Sequence, residues 1–229
     1  MRQEIVKVFS GNNPFGWIAL IDELGLLNAL FPALHYNKHD EQPVRYHPFD
    51  TYAHTLLTLR HLQQINKNYL VKLAMLYHDV GKKDQYAEYA KATSKEEMQA
   101  IHSSSANHVI SGPVFVERDF SALGFSNKEI EEVGFYVANH MRPGQILMAH
   151  DGNQIKRMRQ LLSENGYDRV KNLLDITVAD RRGQFNPLQS HEIDTVQVLY
   201  DILEKLYSEE GQFTMRDMAI NGDDLMQEL

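Results

Sequence analysis

Apolar residues recur along most of the chain at helical intervals. Residues 16–30, GWIALIDELGLLNAL, set Ile18, Ile21, Leu24, Leu27 and Leu30 on one stripe and predict a helix. The stretch 31–48 interrupts the pattern with Pro32, Pro43 and Pro48 and reads as a linker or long loop. Asp50 is placed to cap a helix running to about Ile65. The next helix spans about 68–80, with Leu70, Leu73, Leu76 and Tyr77 inward. Gly81 is placed to end it in the left-handed conformation that glycine tolerates. Residues 82–105 are polar and mixed, a loop with a short helix. Ser126-Asn127-Lys128-Glu129 is a capping box that opens a helix to about 140, and Pro143 follows it. Further helices fit 153–164, 167–181 and 190–208, and no β alternation, internal repeat or low-complexity tract is present. The pattern predicts an all-α fold: a helical domain over 43–210, a small N-terminal helical extension over 1–42, and a C-terminal tail over 211–229.

Composition narrows the chemistry. The 43% hydrophobic content supplies a sizeable core, and no apolar run approaches the roughly 20 residues of a membrane span. With no cysteine there is no thiolate, so any metal must be held by nitrogen and oxygen. The lack of cysteine, and of a secretory h-region in MRQEIVKVFSGNNPFGW, makes a cytoplasmic location the expectation. A net charge of -8 argues against tight, non-specific binding to a nucleic-acid backbone, but leaves room for a small phosphorylated substrate in a locally positive pocket. Eleven histidines are an excess over ordinary usage.

The polar residues inside the apolar stripes point the same way. Asp79, in LAMLYHDVGKK (73–83), stands at the end of its helix among Leu73, Met75 and Leu76. The macrodipole is negative there, and a buried unpaired carboxylate is expensive or protonates. Successive helical positions point about 100° apart. His78 and Asp79 therefore converge only on something close to the helix surface, a condition that a metal ion about 2.0–2.2 Å from nitrogen and oxygen meets. Asp180, in VKNLLDITVADRRG, repeats the anomaly: it shares a face with Leu173 and precedes Arg181, Arg182 and Gly183. A salt bridge to Arg181 or Arg182 is the alternative there.

His54 precedes the stripe continued by Leu56, Leu57 and Leu62, and His140 completes the stripe of Ile130, Val133 and Val137. His108 opens an apolar patch in SSSANHVISGPVF. Each alone is more often a hydrogen-bonded core histidine than a ligand. Together with His78-Asp79 and Asp180 they make independent accidents a poor account. His61 lies about 10 Å further along its helix than His54, too far for the same ion. His35, His39, His150 and His191 read as surface residues, His102 is ambiguous, and His47 stands where it would reach the mouth of the site.

His54, His78-Asp79, His108, His140 and Asp180 resemble the ligand pattern of the HD-domain metal-dependent phosphohydrolase superfamily, with HDVGK as its central motif. A closer resemblance covers nearly the whole chain. ALIDELGLLNALFPAL looks like the helical region before the HD domain of bacterial CCA-adding tRNA nucleotidyltransferases and related poly(A) polymerases. HPFDTYAHTLLTL resembles the entry to that domain, and DITVADRRGQ and MAINGDDLMQEL its end and the motif beyond. The sequence begins after the position of the nucleotidyltransferase head, so nucleotide addition by this chain alone is not expected.

The resemblance implies an HD-domain helical bundle and a phosphodiesterase or phosphatase acting on nucleotides or RNA ends, such as 2′,3′-cyclic nucleotides and 2′-phosphates. It implies one divalent ion on His54, His78, Asp79 and Asp180, and a second on His108 and His140 with Asp79 bridging. Metal-activated water would attack phosphorus. Nitrogen and oxygen donors suit Mn, Mg, Fe, Co, Ni or Zn. Lys82, and after it Arg142 and Arg181, are the candidate phosphate contacts. Two other readings stay open: a diiron oxygenase, whose ligand set in this superfamily is similar, and a non-catalytic module that binds tRNA or a separate nucleotidyltransferase subunit.

Overall fold

Side chains that accept from free backbone N–H groups start several helices. The Asp50 carboxylate takes the Ala53 N–H at 2.6 Å, and Asn68 takes that of Leu70 at 2.9 Å. Ser126 and Glu129 form the reciprocal capping box. In this computed structural model, which describes residues 1–38, 50–82, 107–149, 152–184 and 190–210, the elements are helical throughout and no strand occurs among the described residues. The order is α1 Arg2–Ser10, α2 Pro14–Glu23, α3 Leu27–Leu30, α4 Pro32–Tyr36, α5 Thr51–Ile65, α6 Tyr69–Tyr77, α7 Asn107–Leu123, α8 Asn127–Asn139, α9 Arg142–Leu147, α10 Gln154–Asn165, α11 Tyr167–Gly183 and α12 Ser190–Glu210. The expected all-α bundle is what the chain forms.

Helix α6 occupies the middle of the bundle. Val71, Leu73, Met75, Leu76 and Tyr77 are all buried there, between α5 on one side and α8 on the other. Helix α11 packs along α5, and α7 along α8. A ladder of aromatic edges ties the N-terminal helices into this core. Phe9, Trp17, Phe31, Tyr77, Phe120 and Phe125 follow one another with ring centroids 4.9–6.3 Å apart. Lys72 is fully buried and donates to the Phe9 and Gly11 carbonyls at 3.0 and 2.9 Å, satisfying the end of α1. Burial, helped by the Lys67 charge, pulls its pKa down.

Two expectations need correction. The helix over 16–30 is broken, because Gly25 takes φ 72° and closes a Schellman turn, with Leu26 N–H on Ile21 O at 2.8 Å and Gly25 N–H on Asp22 O at 2.9 Å. Leu24 is thereby turned outward, 61% exposed. The supposed linker after residue 30 holds α4, which starts at Pro32, where a missing N–H costs nothing. Helix α7 was legible only as an apolar patch, since Pro113 lies inside it. Residues 39–49, 83–106 and the tail 211–229 lie outside the described residues, as do His39, His47, His102 and His150.

The N-terminus of α1 is held by Arg2, whose guanidinium grips the Glu129 carboxylate at 2.6 and 2.9 Å. Arg2 holds the Glu129 pKa down to about 2, against the burial that pushes it up and with help from Ser126 and Tyr69. A depressed carboxylate stabilises fully above its unfolded value and loses that contribution as pH falls. The melting-temperature gap between wild type and Glu129→Gln should therefore be constant at neutral pH. It should close as pH falls from 4.5 toward 2, which thermal melts across that range will show.

Candidate metal centre

Helices α6 and α8 end in the same way. His78 and His140 are their C-caps, both right-handed, with φ −59°, ψ −34° and φ −59°, ψ −27°. Each ring folds back so that Nδ1 meets the carbonyl three residues earlier, Met75 O and Val137 O, at 2.8 Å in both cases. A carbonyl only accepts, so each Nδ1 carries a proton, and in the neutral ring Nε2 is the nitrogen left with a lone pair. This is the outer hydrogen bond that a metal-ligating histidine ordinarily makes. His54 comes from the first turn of α5 and His108 from the first turn of α7.

The four rings form two pairs around Asp79. His54 and His78 bring their Nε2 atoms to 3.4 Å, and His108 and His140 likewise to 3.4 Å. Asp79 divides its oxygens between them. Oδ2 lies 3.5 and 3.2 Å from His54 and His78, and Oδ1 lies 3.8 and 3.9 Å from His108 and His140. Asp180, from α11, places Oδ1 3.0 Å from His54 Nε2 and 3.7 Å from His78 Nε2. Ligand atoms each about 2.0–2.2 Å from a shared ion stand roughly 3–3.5 Å apart, so the first group has the spacing of a coordination shell. The sets His54–His78–Asp79 and Asp79–His108–His140 can each hold a metal ion.

Burial makes the charges interdependent. His54, His78, Asp79, His108 and His140 are 1–4% exposed. Burial alone would drive the Asp79 pKa up, but His78, Lys82 and His54 hold it well below the carboxylate range. Asp180, for which burial likewise acts upward, is held down by His54 and His78. Burial acts downward on His78, and Asp79 and Asp180 outweigh it and raise the ring to about 10. His140 falls to about 3 through burial and the neighbouring His78 and His108.

Of the expected phosphate contacts, Lys82 is at the cluster, with Nζ 2.6 Å from Asp79 Oδ2. Arg142 is engaged elsewhere, 2.9 Å from Glu164, and Arg181 donates to Thr195 Oγ1 at 3.0 Å. Of the remaining histidines, His61 is half-buried two turns further along α5 and His35 is exposed.

Sequence reading missed how the remote segments are drawn in. Gly81 was expected to supply a positive φ, yet among the described residues the positive-φ glycines are Gly25, Gly124, Gly152 and Gly166. Its function is close approach: a Cβ there would stand 2.9 Å from His108 Cα and O and 2.3 Å from Ser111 Oγ. Gly183 does the same for α11, where a Cβ would stand 2.3 Å from the Thr58 methyl and 3.2 Å from its nitrogen. One glycine brings α7 against the His78-Asp79 turn, and the other brings α11 against α5.

Residues 51–183, from the first residue of α5 to the last of α11, match the HD domain family. The chain belongs to the HD domain family. That membership places it in a superfamily of metal-dependent, generally hydrolytic domains, in keeping with the His/Asp clusters that can hold a divalent ion. Relatives of this HD domain include the multifunctional CCA protein of Shewanella denitrificans, 32% identical over 81 residues, 35% of this chain and 20% of that protein. Another is the multifunctional CCA protein of Thioalkalivibrio sulfidiphilus, 27% identical over 100 residues, 43% of this chain and 24% of that protein. The matched stretch thus spans about a fifth to a quarter of these relatives' length. No described helix of the HD domain is long and apolar enough to cross a membrane.

Overpacking typically costs about 1–3 kcal/mol. Gly81→Ala and Gly183→Ala should each lose stability of that order in denaturant melts. Gly144→Ala, whose Cβ meets nothing within 4 Å, should be neutral or slightly stabilising.

Proposed function

We propose that this HD domain is a metal-dependent phosphohydrolase acting on phosphomonoesters or phosphodiesters of nucleotides or RNA ends, of the 2′,3′-cyclic phosphodiesterase, 2′-nucleotidase or phosphatase type. The observation that carries the reading is the position of Asp79, one oxygen toward His54 and His78 and the other toward His108 and His140. His54, His78, Asp79 and Asp180 are the candidate ligands of one divalent ion, and Asp79, His108 and His140 of a second. Bound there, divalent metal supplies Lewis acidity and a hydroxide source near neutral pH. Sulfur-free donors suit Mn, Mg, Fe, Co, Ni or Zn.

The chain's own residues do the rest. The bonds from Nδ1 to Met75 O and Val137 O keep the Nε2 lone pairs of His78 and His140 on the cluster. His54, His78, Asp79, His108 and His140 are themselves almost wholly buried, which keeps bulk water from them and strengthens the field inside. The Asp180 side chain is 21% exposed and Lys82 16%, so the cluster meets solvent along that edge. A phosphate arriving there meets the Lys82 ammonium, already oriented by Asp79 Oδ2. An RNA end or nucleotide as substrate is supported by the similarity to proteins named multifunctional CCA protein.

Metal analysis of purified protein, coupled to a screen of 2′,3′-cyclic nucleotides, 2′- and 3′-nucleotides and a generic phosphate ester, tests the reading. Asp79→Ala should abolish both metal binding and hydrolysis, and His140→Ala should lower the metal content from two ions to one. Hydrolysis that persists in metal-free buffer would sink the proposal, and O2 consumption on a polyol or phosphonate would favour an oxygenase. Lys82→Ala should retain metal and raise KM several-fold with a smaller change in kcat, read from steady-state kinetics of the same substrate.

A further inference from the structure

The peptide that carries Asp79 is gripped from outside the segment that matches the family. Asn37, the C-cap residue of α4, is fully buried. Its amide nitrogen donates to two carbonyls, Ala33 O at 2.8 Å and Val80 O at 3.0 Å. Val80 is the residue after Asp79, within the His78–Gly81 turn. Because both neighbours are carbonyls, the amide orientation is unambiguous: the NH2 group must face them. Its Oδ1 is then buried and meets no hydrogen-bond donor among the described residues. A stranded acceptor costs about 1–3 kcal/mol, and an aliphatic side chain would fill the same space without it. The hold on the Val80 carbonyl accounts for an amide at this position.

The same helix is anchored on the other side of the His78-Asp79 pair. Asp119, buried in α7, accepts the Ala33 N–H at 3.1 Å and the Tyr77 hydroxyl at 2.8 Å through one oxygen, Oδ2. The chain is thus tied to α4 at Tyr77, immediately before His78, and at Val80, immediately after Asp79. Phe31, directly ahead of α4, stacks edge-on against Tyr77 with centroids 6.3 Å apart.

We infer that Asn37 is a positioning residue for the metal centre, fixing the turn that aims Asp79, and that the N-terminal helices are a working part of the site. Among the described residues, the hydrogen bonds of the Asn37 amide go to the Ala33 and Val80 carbonyls and not to a candidate ligand. Asn37 acts through the Val80 backbone, as residues behind the ligands of metal sites do. The inference rests on His78 and Asp79 being ligands, and it reaches beyond the hydrolysis proposed above.

Wild type, Asn37→Leu, Asn37→Ser and Asn66→Leu, each as the full chain, should be compared by Mn2+ titration calorimetry, thermal melts and amide exchange of the metal-free protein. Asn66 serves as the control, a buried amide that bonds Asn172 and Asp175 at the far end of α5. Asn37→Leu should weaken Mn2+ binding about tenfold or more. It should also speed exchange of the Lys82 N–H, which closes the turn on Asp79 O at 2.9 Å. Asn37→Ser, which keeps one donor, should fall between it and wild type. Asn66→Leu should lower the melting temperature while leaving Mn2+ affinity and Lys82 exchange unchanged. Wild-type Mn2+ affinity in Asn37→Leu overturns the inference, as does an equal loss of affinity in Asn66→Leu at equal loss of stability. If the wild type binds no Mn2+, the metal reading itself falls, and Lys82 exchange alone decides whether Asn37 holds the turn. If Asn37→Leu does not fold, Asn37→Ser carries both readouts. Mn2+ binding without phosphate-ester turnover would overturn the proposed activity and leave this inference intact.

Discussion

A carboxylate at the centre of an apolar bundle, 2% exposed and past the negative end of a helix, is the constraint around which this protein is organised. Asp79 cannot be left unpaired there, since an isolated buried charge protonates or costs several kcal/mol. The chain brings His54, His78, His108, His140 and Lys82 within 4 Å of its two oxygens. These partners are themselves costly to bury, so the group stands or falls together. Asp79 and Asp180 favour a proton on His78, while burial and the neighbouring rings disfavour one on His140. A divalent ion resolves that competition more completely than protons do, because it satisfies lone pairs on both kinds of donor at once.

Ordinary helix chemistry delivers the ligands. A helix leaves its last carbonyls without intrahelical partners, and histidines at two C-caps use those carbonyls to fix their own rings. The remaining candidate ligands arrive on helices that must approach unusually closely, and Gly81 and Gly183 remove the side chains that would keep α7 and α11 away. Backbone contact of this kind transmits position directly, with no flexible side chain to absorb an error.

The N-terminal helices share one core with the HD-family segment rather than sitting beside it. The aromatic ladder from Phe9 to Phe125 crosses from α1 through α6 to the loop ahead of α8, and Lys72 and Arg2 tie the two ends of α1 to α6 and Glu129. Asn37 and Asp119 carry that connection to either side of His78-Asp79. Among the described residues, the arrangement makes the candidate metal centre continuous with a part of the chain that the family match does not include.

Much of this was legible in the sequence, for physical reasons. Helical periodicity and caps at Asp50 and Ser126 were enough for the all-α class, because local hydrogen bonds start helices wherever they occur. The anomalous burial of His78, Asp79 and Asp180, with the histidine excess, was enough to name the six residues that the fold gathers. Local pattern failed where a backbone conformation or a distant contact decides. It did not foresee the break at Gly25, helix α7 through Pro113, or the reason for glycine at 81. Nor did it foresee that Arg142, a candidate phosphate contact, pairs with Glu164. Asn37 could not be singled out at all, because a polar residue after a short helix looks like a surface turn until another segment is laid over it. The sequence by itself determined which residues are too polar to be buried alone. Only the tertiary structure decided which of them meet, because that depends on how closely helices remote in sequence can pack.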